Sequence, residues 1–304
     1  MNYSSPTHFE MLTNKFLTLK TRLQDLKKIF QMDININELG IVILSLEDFS
    51  RILSREKDFK DSHFTPEEIE YCKNRMSSLA GRYSAKLALR EALREQIPWK
   101  HMSILPSATS QPVVSFSKIN ERKRRVSLSI THEDDLVVAV AAIAADKTVA
   151  LGIDATKNKR IADMVKNQPN ILSRILTPKE LAEMGNFKGV TPNGIASSDK
   201  NPPPPPFNKG GLKHVPPFIK GEKGNFFAMT KIWAAKEAVS KALGVGVWHG
   251  GSLQSIEILT KKGKPTVRLK GELEEFAKSL EINKWKLEFV YDGEFTVALV
   301  VSSS

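Results

Sequence analysis

The sequence predicts an α+β protein. Two tandem, pseudo-twofold-related copies of one unit are expected, each a small antiparallel sheet packed on a long helix, with a disordered Pro/Gly-rich insertion in the second copy. Three observations predict this: sequence echoes at constant offsets, a low-complexity interval where the offset jumps, and alternating apolar residues after each long helix. Gly40-Ile41-Val42 returns as Gly152-Ile153-Asp154, and Phe64-Thr65-Pro66-Glu67-Glu68 returns as Leu176-Thr177-Pro178-Lys179-Glu180 at the same offset. Tyr83-Ser84-Ala85-Lys86-Leu87-Ala88 returns as Trp233-Ala234-Ala235-Lys236-Glu237-Ala238, now at a larger offset. The second copy has therefore gained a segment between its Thr-Pro turn and its long helix.

Each element follows in order. Residues 9–36 read as an amphipathic helix preceding the first copy. Each copy opens on a strand, and in the second the apolar run Val149-Ala150-Leu151 is expected to be buried with Asp154 at its C-terminal end. The Thr-Pro pairs start helices, because proline suits the first turn and Glu67, Glu68 and Glu180 suit the positive end of the helix dipole. The Ala-rich helix KIWAAKEAVSKALG stops at Gly244, a residue that accepts the left-handed conformation of a helix end. The segments PVVSFS and QSIEIL alternate as strands do, and Val138-Ala139-Val140 is echoed by Val297-Ala298-Leu299 near the end of the chain. The insertion, about 186–224, carries five consecutive prolines, Pro202 to Pro206, which remove backbone donors and favour an extended, unpacked chain. The expected division is 1–39, an N-terminal helical extension, then units at 40–146 and 147–304.

Composition narrows the function. With 41% hydrophobic and 26% charged residues in 304, the chain resembles a globular protein, and no apolar run is long enough to span a membrane. The N-terminus lacks the layout of a secretory signal, and the single cysteine, Cys72, fits a reducing cytoplasm. A net charge of +11 calls for acidic partners. The basic residues are dispersed, with no zinc-finger spacing or RNA-binding signature, so a nucleic-acid partner is not expected.

Asp154 ends an apolar strand, where a carboxylate must be paired, metal-bound or exposed, or serve as a structural cap. Glu237 lies among apolar and small helix neighbours. Lys241, one helical turn on, allows either an ordinary surface ion pair or a place for a magnesium pyrophosphate. The two copies differ at these positions. The first has Val42, Leu87 and Glu91 in place of Asp154, Glu237 and Lys241, while it carries Arg82 and His132 where the second has Ile232 and Tyr291. One composite site between the copies accounts for this complementarity.

GIDATKNKRIADM, SRILTPKEL, WAAKEAVSKALGVG and KKGKP in the second copy closely resemble the holo-acyl-carrier-protein synthases, in the 4'-phosphopantetheinyl transferase superfamily. SITHEDDLVVAVAA in the first resembles the carboxy-terminal segment of the same proteins, and the tandem arrangement is similar to the surfactin-synthetase-activating type. The resemblance implies transfer of the phosphopantetheine arm of coenzyme A to a serine of an acidic acyl or peptidyl carrier protein. It implies magnesium on Asp154 and Glu237, with Glu237 as the base for the serine and Lys241 stabilising the leaving group. Coenzyme A would be held by Arg82, Thr131, His132, Lys236 and Lys241, and the carrier would dock on Arg160, Met164 and Arg174. Many tandem members carry a second acid just after the aspartate, at the position where this chain has Thr156. The alternative is a degenerate relative that only binds carrier protein or coenzyme A.

Overall fold

The computed structural model describes residues 16–33, 38–117, 125–144, 149–184, 222–246, 253–261 and 264–303. The first unit follows helix α1 (Leu17–Asp33) and comprises β1 (Glu38–Ser45), α2 (Leu46–Arg55), α3 (Phe59–His63), α4 (Pro66–Cys72), α5 (Met76–Leu93), β2 (Met102–Pro106), β3 (Pro112–Phe116), β4 (Arg125–Glu133) and β5 (Leu136–Ala144). The second comprises β6 (Val149–Lys157), α6 (Asn158–Asn167), α7 (Leu172–Ile175), α8 (Pro178–Met184), α9 (Glu222–Leu243), β7 (Ile256–Lys261), β8 (Lys264–Leu269), α10 (Glu272–Ser279), β9 (Lys284–Tyr291) and β10 (Phe295–Ser303). The main antiparallel sheets run β1-β5-β4 and β6-β10-β9, and the β2-β3 and β7-β8 hairpins complete the strands.

Registers and contacts recur at the offsets read from the sequence. Val42 lies opposite Ala139 in the first sheet, and Asp154 opposite Ala298 in the second. At Gly40 an added Cβ would fall 2.0 Å from the Ala88 carbonyl oxygen, and at Gly152 1.8 Å from that of Ala238. Both sheets therefore need glycine where the long helix rests its backbone on the edge strand. Thr65 caps α4 in a capping box with Glu68, and the Thr177–Glu180 pair exchanges the same two hydrogen bonds at the start of α8.

Buried carboxylates tie each unit together. Glu68 accepts from Lys86 at 2.6 Å and from the Ile104 amide, while Glu180 accepts from Lys236 at 2.7 Å and from the Ile258 amide. All four charged side chains are fully buried. Each pair binds the Thr-Pro helix, the long helix and the following hairpin in one polar knot inside an apolar core.

Alternation along the strands divides the core. Leu39, Ile41, Ile43, Val138 and Val140 face Leu151, Ile153, Ala155, Val297 and Leu299 between the two sheets, and the opposite faces pack on α5 and α9. Helix α1 adds Leu19, Leu23, Leu26 and Phe30 to the inner layer, with Phe16 just before it, so the amphipathic helix expected at 9–36 is a packing element over its described part, 17–33. It is pinned between β1 and β9. Lys27 pairs with Glu91 at 2.6 Å, Gln24 donates to the Ile41 carbonyl, and Lys286 donates to the Ile29 carbonyl.

The expected insertion lies outside the described residues except at its end, where α9 begins at Glu222. In the first unit, residues 73–75 alone join α4 to α5. Replacing 187–221 with a short linker is accordingly expected to leave folding and activity at wild-type levels, read by thermal melting and by the transfer assay below. Loss of the cooperative melt would mean that the segment carries part of the core.

Candidate functional site

The two units meet where β4 runs beside β6, and polar side chains join them. Alternate residues of β4 point at the β6 backbone: Ser127 donates to the Val149 carbonyl, Ser129 accepts from the Ile153 amide, Thr131 from the Ala155 amide and Glu133 from the Lys157 amide. This spacing follows from the period of a strand, in which every second side chain shares a face. Glu133 also pairs with Arg160 at 2.6 Å, fastening the start of α6 to the first unit.

Asp154 stands at the end of this contact, on the β6 face turned to α9. It is 7% exposed and surrounded by donors. Lys241 Nζ lies 2.7 Å from Oδ1 and also donates to the Ile153 carbonyl at 3.1 Å. Thr131 Oγ1, from the first unit, donates to Oδ1 at 3.1 Å, and Thr156 Oγ1 donates to Oδ2 at 2.8 Å. Asp154 is thus paired as a buried carboxylate must be, and Lys241 serves it rather than forming the simple surface pair with Glu237 that helical spacing allowed.

Glu237 is half-buried one helical turn before Lys241. Its carboxyl is pushed up to about 7, first by burial and then by the negative charge of Asp154, with Lys241 and Arg160 opposing. Two carboxylates that resist joint ionisation beside a lysine fit a divalent cation. Among the described residues no group of three or more His, Cys, Asp and Glu side chains could hold a metal ion. Magnesium nevertheless fits, because it commonly takes one or two protein carboxylates and completes its shell with water and phosphate oxygens.

The shift has a stability consequence. A carboxyl raised from 4.5 to about 7 contributes its stability fully below the lower value and loses it as pH rises through the upper one. The loss amounts to about 3 kcal/mol. In chelator, Glu237→Gln is expected to melt above the wild type near pH 8, with the difference shrinking towards about pH 5. A difference independent of pH would contradict the assigned burial.

In the first unit the corresponding place is closed. Val42 is in the core, and Glu91 accepts from the Ile41 amide at 3.0 Å while holding Lys27 of α1.

The remaining expected residues separate. His132 is exposed on β4, on the strand face opposite Thr131. Arg82 on α5 donates to the Ser78 carbonyl at 3.0 Å, and its guanidinium lies 4.3 Å over the Tyr71 ring. Lys236 is a correction. Its ammonium is fully buried against Glu180, the Ile175 carbonyl and the Leu253 carbonyl, so it is not presented to a phosphate. An ammonium has three protons, and all three are used. Arg160 and Arg174 are exposed, whereas Met164 is half-buried against the cluster of Ile161, Val165 and Leu172.

Thr156, Ser129, Glu133 and Gln111 had no expected role. Gln111, in the β2-β3 turn, donates to the Lys241 carbonyl at 3.0 Å and so tethers the end of α9 to the first unit. The polar alternation at 127, 129, 131 and 133 was the sequence signal for the junction. For Gln111 no local signal exists.

Comparison with known proteins identifies the family. The model of the 4'-phosphopantetheinyl transferase superfamily matches residues 214–300. The holo-[acyl-carrier-protein] synthase of Chlorobium chlorochromatii is 34% identical over 116 residues, covering 35% of this chain and 98% of that protein. That of Hydrogenovibrio crunogenus is 38% identical over 85 residues, covering 28% of this chain, and the chain spans 65% of that protein's length. The crystal structure of the Helicobacter pylori holo-[acyl-carrier-protein] synthase in complex with coenzyme A is 28% identical, covering 35% of this chain and 99% of that one, with a TM-score of 0.33. Similarity at this identity along nearly the whole Chlorobium protein shows that the chain belongs to the 4'-phosphopantetheinyl transferase superfamily.

Proposed function

We propose that the chain transfers the 4'-phosphopantetheine group of coenzyme A to a serine of an apo acyl carrier protein, at one site where the two units meet. The observation that carries this reading is the opposed pair Asp154 and Glu237, with Lys241 bridging towards them, in a chain whose relatives are holo-[acyl-carrier-protein] synthases. Asp154 and Glu237 would hold magnesium, which when bound supplies positive charge against the pyrophosphate and the charge developing during transfer.

The carrier serine oxygen attacks the phosphorus that bears the pantetheine arm, and the bond to the departing adenosine 3',5'-bisphosphate breaks. Glu237, directly or through water, takes the serine proton. Lys241 spends two protons on Asp154 and the Ile153 carbonyl, which leaves one for an oxygen of the leaving group. Arg82 and His132 are proposed to hold the nucleotide end, since both lie on the first unit outside the Asp154 cluster. Exposed Arg160 on α6 and Arg174 on α7, with Met164 of α6, are proposed to meet the acidic carrier. Arg160 divides its charge between this surface and Glu133.

No helix of the described residues is long and apolar enough to cross a membrane. The cytoplasm is the proposed location, consistent with Cys72, which is buried and whose thiol burial pushes up, so that it stays a structural thiol. The reading is tested by incubating the protein with apo-carrier, coenzyme A and magnesium and weighing the intact carrier. A gain of one phosphopantetheine is expected. A chain that binds coenzyme A and carrier with no gain on any carrier is the degenerate relative instead.

A further inference from the structure

We propose that Thr131 is a positioning residue that sets the Asp154 carboxylate from across the junction between the units. Thr131 is 4% exposed. Its hydroxyl donates to Asp154 Oδ1 at 3.1 Å and accepts from the Ala155 amide at 3.3 Å. A hydroxyl has one proton, and here it is committed to the carboxylate. Thr131 therefore has no donor for a phosphate oxygen, in contrast to the coenzyme A contact that the family resemblance implies for it.

The hydrogen bonds around Asp154 are uneven. Among the described residues, Oδ1 receives Thr131 and Lys241, whereas Oδ2 receives Thr156 alone. A carboxylate oxygen offers about two lone-pair sites, so Oδ1 is filled and Oδ2 keeps one open. Thr131 and Lys241 thus select which oxygen is available, and they do so from different units. The carboxylate is set only when β4 is docked on β6. By the offset that pairs Val138 with Val297, the position corresponding to Thr131 in the second unit is Val290, an apolar core residue. A hydroxyl occurs at the copy of this position that faces a carboxylate, and not at the other.

This inference rests on the transfer reading for the use made of Asp154, and the test separates the two. Full-length wild type, Thr131→Val and Thr131→Ser are compared for Mn2+ binding by calorimetry, for coenzyme A binding, and for kcat and KM. The isosteric valine variant should weaken Mn2+ binding about tenfold or more. At saturating Mn2+ it should lower kcat and leave the coenzyme A Kd and KM unchanged, and the serine variant should recover both losses. A raised coenzyme A Kd with unchanged Mn2+ binding would overturn the proposal in favour of a substrate contact, as would a valine variant that matches the wild type in every measurement. Should the valine variant fail to fold, Thr131→Cys, a weak donor of similar size, is held to the same outcomes. A wild type that binds neither Mn2+ nor coenzyme A refutes the transfer reading and this inference together. Wild-type binding of both, with no effect of the substitution, refutes this inference alone.

Discussion

Glu237→Gln is expected to reduce phosphopantetheine transfer by on the order of 10^3-fold or more, because it removes at once a base and one of two carboxylates for the cation. Glu91→Gln in the first unit, one turn beyond the position equivalent to Glu237, should leave the transfer rate at the wild-type level. Glu91 accepts from the Ile41 amide and holds Lys27 of α1, so its carboxylate belongs to packing and not to chemistry. Rates come from the intact-mass assay under saturating coenzyme A. The one-site assignment fails if both substitutions do equal damage, since that would require the first unit to hold a working centre as well. The contrast also distinguishes loss of chemistry from loss of fold. Glu237→Gln removes a costly buried charge and should melt no lower than the wild type, whereas a general weakening would lower stability and rate together.

Lys236→Ala should cost about 3–5 kcal/mol of stability, since it leaves the Glu180 carboxylate buried without its cation. Burial pulls the ammonium's pKa down and Glu180 pulls it up, as for Lys86 beside Glu68 in the first unit. The control is built into the chain. Lys86→Ala breaks the matching pair and should lose a comparable amount by denaturant melt, although it lies away from the Asp154 cluster. By contrast, Lys241→Ala should lower the transfer rate with a much smaller change in stability, as its ammonium is partly exposed. If Lys236→Ala weakened coenzyme A binding at unchanged stability, the buried assignment would be wrong and the contact implied by the family resemblance would return.

The two lysines show where reading the sequence reaches its limit. Lys236 and Lys241 sit on one helix, close together and beside the same glutamate, and residue type gives both an equal claim on a phosphate. Helical rotation turns one into the core against Glu180 and the other towards Asp154. The internal echo did hold a clue. Lys86 repeats Lys236 in a unit that lacks counterparts of Asp154 and Glu237, so the lysine persists where the proposed metal carboxylates are absent. A residue shared by both copies belongs to the fold, and a residue found in only one is the better candidate for chemistry.

Residue order was enough to reveal the repeated elements and the class of the fold, and to single out Asp154, Glu237 and Lys241 as the candidates for chemistry. These follow from local periodicity and from differences between aligned segments, which need no knowledge of contacts. Folding in three dimensions was needed to bring Thr131 and Gln111 of the first unit to Asp154 and the end of α9 in the second, at separations of 23 and 130 residues. It was needed also to place α1 in the inner layer between β1 and β9. The reason is physical. A strand's period says which side chains share a face, but which element that face meets is settled only when two sheets dock and each buried hydroxyl or carboxylate must find a partner.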